Sequence, residues 1–362
     1  ANLDVDDTDS YGPETITLQK KRFGETYVYA VHDFINSGNP SANALSASQA
    51  KVFVYVGQSL VRTYYVPQGQ RGNLWTVFRM TGSGDFQDIN TFSGVTVNAA
   101  NVLNEVKPLL DDSVAVMMIT EVDYRTGRRH DMAAITARAH EKGALTIWDL
   151  AHSAGAFQVE LAKCKADFAV GCTYKYLNSG PGGPAFIYVA PRHAETVRPA
   201  LSGWQGHDAP FAFDLDYRPA RGAERMRVGT PPILQLAALE ASLDIWDSVD
   251  MAALRARSLA LTDQFIKGVE ATCPTLTLAT PRDHALRGSQ VSFRHPEGYA
   301  IMQALISKGV IGDFRAPDII RFGFTPLYTS DADVAAAVDV LAEIMAKSLW
   351  DTPEFKTRKK VT

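Results

Sequence analysis

Two hydrophobic rhythms meet near residue 93, and no single layer of structure accommodates both. From residue 14 to about 92, apolar and polar side chains alternate in short runs, as in ETYVYAVHD (25–33), KVFVYV (51–56) and LWTVFRM (74–80). A period of two, interrupted by clusters of Gly, Asn, Pro and Ser, predicts antiparallel strands. We expect at least four, over about 14–19, 25–34, 50–66 with a hairpin turn at Gly57-Gln58, and 74–81. Residues 1–92 therefore read as an all-β, sandwich-like segment.

Beyond residue 93 strands alternate with helices. SVAVMMIT (113–120) is a continuous apolar run of the kind buried on both faces in a parallel sheet, and ALTIWD (144–149), DFAVG (167–171) and AFIYV (185–189) extend the series. Asp131 is placed to cap a helix lasting to about Lys142. This pattern predicts an α/β fold, with βαβ units around an open sheet. Helical runs over 233–249 and 251–272 lead to an α+β portion with strands near 289–293 and 318–323 and helices near 297–308 and 331–348. Three domains are expected: the all-β segment 1–92, a large-domain portion 93–249 and a small C-terminal domain 250–362.

Charge and cysteine usage exclude several function classes. A net charge of -4, with no basic stripe beyond the tail Lys356–Lys360, argues against nucleic-acid binding. No apolar run reaches the roughly 18 residues of a membrane span. Cys164, Cys172 and Cys273 have no CxxC spacing, which fits unpaired thiols in a reduced, cytoplasmic setting better than a metal site. Asp4, Asp6, Asp7 and Asp9 supply oxygen ligands suited to Ca2+, but they lack the glycine and distal glutamate of an EF-hand, so a metal-free polar turn is the favoured reading.

The chemistry concentrates in GCTYKYLNSGPGG (171–183). Lys175 has no carboxylate within the stretch from Asp167 to Glu195, so its charge is poorly compensated locally. A desolvated lysine loses its proton readily and becomes a candidate for imine chemistry; a lysine reaching out of a half-buried turn is the plainer alternative. Asp149 ends one predicted strand, His152 follows three residues later, and Lys175 lies just past the end of the next strand. Doubly wound sheets gather ligand-binding groups at such strand ends. A lysine and an aspartate there suit pyridoxal phosphate, the lysine bonding the cofactor carbon and the carboxylate keeping the pyridine nitrogen protonated. Asp149 alone would read as a helix cap.

The runs IWDLAHSAGA (147–156), GCTYKYLNSGPGG (171–183), LSGWQGH (201–207) and VIGDFRAPDIIRFGFTPLY (310–328) resemble bacterial kynureninase, a fold-type I enzyme that uses pyridoxal phosphate. Several long motifs in order, from about residue 93 to the C-terminus, make the resemblance specific. It implies that Lys175 carries the cofactor and moves protons on the substrate, that Asp149 pairs with the pyridinium with His152 beside it, and that Tyr174 donates to the cofactor phosphate. Trp204 and Thr230 would reach the phosphate of a neighbouring subunit, implying a homodimer. Arg321 would clamp the substrate α-carboxylate with its guanidinium fork, the bland alternative being a strand-edge ion pair. The implied reaction is hydrolysis of L-kynurenine to anthranilate and L-alanine, a step of tryptophan catabolism, with Tyr174 a candidate participant at the γ-carbonyl.

The family carries two further cofactor elements ahead of this point: a Thr/Ser-rich turn at a helix N-terminus for the phosphate and a Phe-Pro-Thr-Asp stretch at the pyridine ring. Residues 1–92 contain neither; Ser93-Gly94 and Thr96 are the nearest phosphate candidates and read better as a connecting loop. Residues 1–92 instead resemble part of a secreted bacterial β-sandwich family of uncharacterised function. Weakened activity is the expectation, and a catalytically silent fusion is the second reading. A desulfurase-type activity is a weaker alternative, since none of the three cysteines lies in an evident nucleophile loop.

Overall fold

The computed structural model describes residues 2–5, 15–17, 27–32, 41, 43–48, 50–56, 59–72, 74–81, 85–93 and 110–358. The chain forms two compact units, residues 1–116 and 117–362.

The first unit contains strands β1 (Asn2–Val5), β2 (Thr15–Thr17) and β3 (Tyr27–His32), the single turn of helix α1 (Ala44–Ala47), and strands β4 (Lys51–Val56), β5 (Ser59–Tyr65), β6 (Leu74–Met80) and β7 (Phe86–Ser93). All pairings are antiparallel: β1 with β2, β4 with β5, and β6 between β3 and β7. Alternation directs Trp75 and Val77 inward, both fully buried. The Trp75 indole donates to Asn90 Oδ1 (2.8 Å) and the Tyr64 hydroxyl to Asp88 Oδ1 (2.6 Å), so the polar atoms of the large side chains are satisfied as they are buried. The strands β1 and β7 lie outside the four runs expected from sequence. The turn Gly57-Gln58, the residues Gly94 and Thr96, and Asp6, Asp7 and Asp9 lie outside the described residues; Asp4 lies on β1.

The second unit begins with β8 (Val116–Thr120), α2 (Met132–Glu141), β9 (Leu145–Asp149), β10 (Phe168–Cys172) and β11 (Ala185–Val189). The Asp131 carboxylate caps α2 by accepting from the Ala134 amide, as expected. The sheet order is β11-β10-β9-β8, with β9 and β10 parallel. Two expectations need correction. β11 runs antiparallel to β10, because the glycine-rich return through 173–184 contains no crossover helix that would bring the chain back parallel. The connection from β9 to β10 is a series of turns rather than a helix.

The chain continues through α3 (Pro191–Ala194), α4 (Ile233–Trp246), α5 (Met251–Thr272), β12 (Thr277–Leu278), β13 (Gln290–Arg294), α6 (Gly298–Ser307), β14 (Asp313–Arg315), β15 (Ile319–Gly323), α7 (Asp331–Ala346) and α8 (Pro353–Lys356). The last four strands form an antiparallel sheet in the order β12-β13-β15-β14. Phe265 of α5 meets the rings of Phe293, Phe322 and Phe324, and Ile301, Leu305, Leu341 and Ile344 close the core from α6 and α7. Asp250 caps α5 and a reciprocal Ser330–Asp333 capping box starts α7. Helix α4 is different: its sequence ILQLAALEASLDIW is largely apolar, yet only Ser242 is buried.

Candidate active site

Two turns that follow neighbouring strand ends build the site. After β9, the run LAHSAGA bends tightly through Gly155 at φ +84°, where a Cβ would lie 2.8 Å from the Tyr176 carbonyl carbon. Only glycine accepts both that dihedral and that approach, and the contact brings the turn carrying His152 against the turn carrying Lys175. After β10, the lysine turn closes on itself: the Asn178 amide donates to the Lys175 carbonyl (3.0 Å), the Ser179 amide to the Thr173 carbonyl (3.0 Å), and the Thr173 hydroxyl to the Pro184 carbonyl (2.6 Å).

Lys175 Nζ lies 3.2 Å from His152 Nε2. Burial pushes the lysine pKa down; the charges of Arg321 and Arg315 push the same way, while Cys172 and Asp149 oppose them. His152 is driven down to about 3, first by burial and then by Lys175, Arg321 and Arg315. At neutral pH the imidazole is therefore uncharged, and its Nε2 has a lone pair for the lysine ammonium. Lys175 also sits over the Tyr174 ring, 5.7 Å from its centroid, and that ring is half exposed.

The Asp149 carboxylate takes the capping role weighed from the sequence and also faces the lysine. Its Oδ1 accepts from the Ala151 amide at 2.7 Å, capping the turn, and its negative charge acts on Lys175 from the adjacent strand end. Arg321, on the central strand β15, keeps only 13% of its side chain exposed and is not a strand-edge residue. Its Nη1 donates to the Tyr124 carbonyl at 2.6 Å and its Nη2 to Asp313. Trp204 and Thr230 stand apart: the Trp204 ring is exposed and edge-on to Phe211 at 5.7 Å, and Thr230 is exposed ahead of α4.

Three participants were missed by the sequence reading. Asp313 and Arg315 alternate on one face of β14, and Cys172 ends β10 with its thiol near the Ala151 carbonyl (3.8 Å). The i, i+2 spacing of Asp313 and Arg315 within GDFR places both on one face, but it does not by itself point to Arg321. Among the described residues no cluster of His, Cys, Asp or Glu suits a metal ion.

A half-buried lysine with a neutral imidazole and a carboxylate at parallel strand ends, facing an arginine from a C-terminal α+β layer, defines a fold-type I enzyme architecture. Solved structures share this fold: a cysteine desulfurase from Thermococcus onnurineus aligns with TM-score 0.59 at 20% identity, covering 71% of this chain and 66% of that one. A cysteine desulfurase from Escherichia coli aligns with TM-score 0.58 at 18% identity, over 71% and 66%. The family profile described as the kynureninase C-terminal domain matches residues 254–341. A kynureninase from Deinococcus radiodurans is 48% identical over 313 residues, covering 86% of this chain and 72% of its own, and one from Pseudomonas fluorescens is 53% identical over 271 residues, covering 74% and 65%. The chain belongs to the kynureninase family. It spans 65% of the Pseudomonas relative and 61% of a Burkholderia mallei relative that is 54% identical. The Deinococcus match is longer than the stretch from residue 93 to the end, so it reaches into the first segment.

Proposed function

We propose that the chain carries out kynureninase-type chemistry, hydrolysing L-kynurenine to anthranilate and L-alanine with pyridoxal phosphate held at Lys175. The observation that carries this reading is the 3.2 Å approach of Lys175 Nζ to His152 Nε2, with the charges of Asp149 and Arg321 acting on the same lysine. The donor set fits the cofactor: an amine of lowered basicity, a carboxylate for a pyridinium nitrogen, and a phenol beside the lysine. When bound, pyridoxal phosphate supplies an electron sink for bonds broken at and beyond the substrate α-carbon.

The residues divide the remaining work. Lys175 Nζ moves protons at the substrate carbon, because a lysine destabilised as a cation by burial is a competent base. Asp149 holds the positive charge of the pyridinium, and His152, neutral, keeps the lysine oriented without adding a competing cation. Arg321 takes the α-carboxylate through its guanidinium fork. Tyr174 reaches the phosphate and is the candidate participant at the γ-carbonyl.

Trp204 and Thr230 complete the phosphate seat of a second subunit in a homodimer. Exposure of both residues supports that reading, as does the exposure of the apolar side chains Leu201, Phe211, Phe213, Leu215, Ile233 and Leu234. The division into 1–92, 93–249 and 250–362 is retained as the domain plan. A cytoplasmic site of action is supported by the free cysteines Cys164, Cys172 and Cys273; no helix among the described residues is long and apolar enough to cross a membrane.

The test is reduction of the cofactor-treated protein with borohydride, followed by peptide mass spectrometry. A pyridoxyl adduct at Lys175, absent in Lys175→Ala, together with anthranilate fluorescence from L-kynurenine, is the expected outcome. An undiminished adduct in the variant would sink the lysine assignment, and an adduct without any anthranilate would sink the reaction.

A further inference from the structure

Both terminal nitrogens of the Arg321 fork are engaged in the structure: Nη1 with the neutral Tyr124 carbonyl and Nη2 with Asp313. Each of these nitrogens keeps a second N–H, so a ligand carboxylate can reach the fork without displacing either partner, but one that docks on the Nη2 side competes with Asp313, the charged partner of the two. Asp313 faces Arg321 directly in the β14–β15 register. The same Asp313 Oδ2 also forms an ion pair with Arg315 Nη2, at 2.7 Å. The two guanidinium groups lie beside one aromatic ring, 5.8 Å (Arg315) and 6.0 Å (Arg321) from the Tyr124 centroid. Their environments differ: the Arg315 side chain is 43% exposed against 13% for Arg321, so Arg315 has room to follow a moving carboxylate. The Arg315 Nε is buried and has no hydrogen-bond partner among the described residues, which leaves it donor capacity in reserve.

We propose that Asp313 is an exchangeable counter-ion, shared by Arg321 and Arg315 in the empty site and handed wholly to Arg315 when the carboxylate of an α-amino acid takes its place on Arg321. Arg315 and Asp313 are thus positioning residues for substrate recognition, a role that rests on the reading of Arg321 as the carboxylate clamp. The charge at Arg321 is compensated before and after exchange, so no bare guanidinium is left partly buried in either state. The arrangement also makes carboxylate recognition a competition, in which a ligand lacking the carboxylate gains nothing from displacing Asp313.

Opposite signs for the two variants make the proposal testable. The full chain, loaded with pyridoxal phosphate, is titrated with L-alanine and with L-alaninamide, following visible absorbance; the ratio of the two Kd values isolates the carboxylate. Asp313→Asn removes the competitor and is expected to raise the preference for L-alanine roughly tenfold, the factor that about 1.4 kcal/mol represents. Arg315→Gln, which leaves Asp313 to Arg321 alone, is expected to lower it by a similar factor, and to have no further effect in the Asp313→Asn background. If both single variants lower the preference, the cluster is a structural strut and the proposal falls. It also falls if the Arg315 effect persists in the double variant, since Arg315 would then read the ligand itself. An unchanged ratio in Arg321→Gln would instead overturn the clamp reading beneath it. Should the cofactor fail to load, the same cycle is read on the full chain alone through protection of Arg321 by L-alanine against phenylglyoxal, resolved by peptide mass spectrometry, with the same signs expected and the same results overturning it.

Discussion

Asp167 holds the far ends of the two parallel strands whose carboxyl ends carry Asp149 and Lys175, and removing it should loosen both. Its side chain is only 2% exposed. Oδ2 accepts from the Thr146 amide (2.9 Å), the Thr146 hydroxyl (3.0 Å) and His140 Nε2 (2.7 Å), while Oδ1 accepts from Arg192 Nη2 (2.6 Å) and His193 Nε2 (2.7 Å). Hydrogen bonds to charged groups contribute about 1.5–3 kcal/mol each, but five bonds to one carboxylate are not additive. The side chains of Arg192, His140 and His193 are also partly exposed and screened. Loss of one partner from a buried ionic cluster costs about 3–5 kcal/mol, and we expect Asp167→Ala to fall at the lower end of that range. Asp167→Asn, which keeps the shape and one acceptor, should cost about half as much. Burial alone would raise the Asp167 pKa; the hydrogen bonds from His140, His193, Thr146 and Arg192 outweigh it and hold the carboxyl well below its usual range. Because the folded pKa is depressed, the stabilisation is present above the unfolded value of about 3.9 and is lost as pH falls through the folded one. Hydrogen exchange of the β9 and β10 amides measures the effect directly. The gap between parent and Asp167→Asn should be full at pH 6–7 and shrink below about pH 4. A loss under about 1 kcal/mol for the alanine variant, or a gap that widens in acid, would refute this account.

Two further outcomes follow from the site. The His152 ring should stay neutral from pH 8 down to about pH 4 and titrate near 3, observable by NMR with His152→Gln as the assignment control; an inflection between pH 6 and 7 would contradict the burial argument. Since the unfolded chain takes up that proton at about 6.5, the His152 contribution to stability is full above that pH and declines as pH falls toward 3. In Gly155→Ala, a Cβ would meet the Tyr176 carbonyl at 2.8 Å at φ +84°. Left-handed strain of about 1–2 kcal/mol and overpacking of about 1–3 kcal/mol should lower stability by roughly 2–5 kcal/mol and weaken the Lys175 adduct; a variant with unchanged melting would show that the two turns need not touch.

Helix α5 was legible to the residue, Met251 to Thr272, because a long helical run follows a capping aspartate at Asp250. The strands β12 and β14, with two and three residues, are too short to establish a period. The direction of β11 was illegible for another reason: its apolar run is the same whether it pairs parallel or antiparallel, and only the connection before it decides. The placement of Lys175 and Asp149 at neighbouring strand ends was readable from the apolar runs that precede them. The Asp313–Arg315–Arg321 cluster was not, because it requires the register of β14 on β15, which no local pattern encodes.

The carbonyl of Ser289 accepts from both the Tyr176 hydroxyl (2.8 Å) and the Phe324 amide (2.9 Å). Tyr176 adjoins Lys175 and Phe324 lies three residues past Arg321, so one oxygen atom is a common datum for the lysine turn and the arginine strand, the two elements proposed above to handle a ligand's amine and carboxylate. On that proposal the span between them is set like the jaws of a calliper, and it would gauge the separation of a ligand's nitrogen from its carboxylate while leaving the rest of the ligand unmeasured. Substitutions elsewhere would then retune what hangs from the α-carbon, whereas a ligand with its amine one carbon farther from the carboxylate would require the lysine turn and the arginine strand to be shifted together.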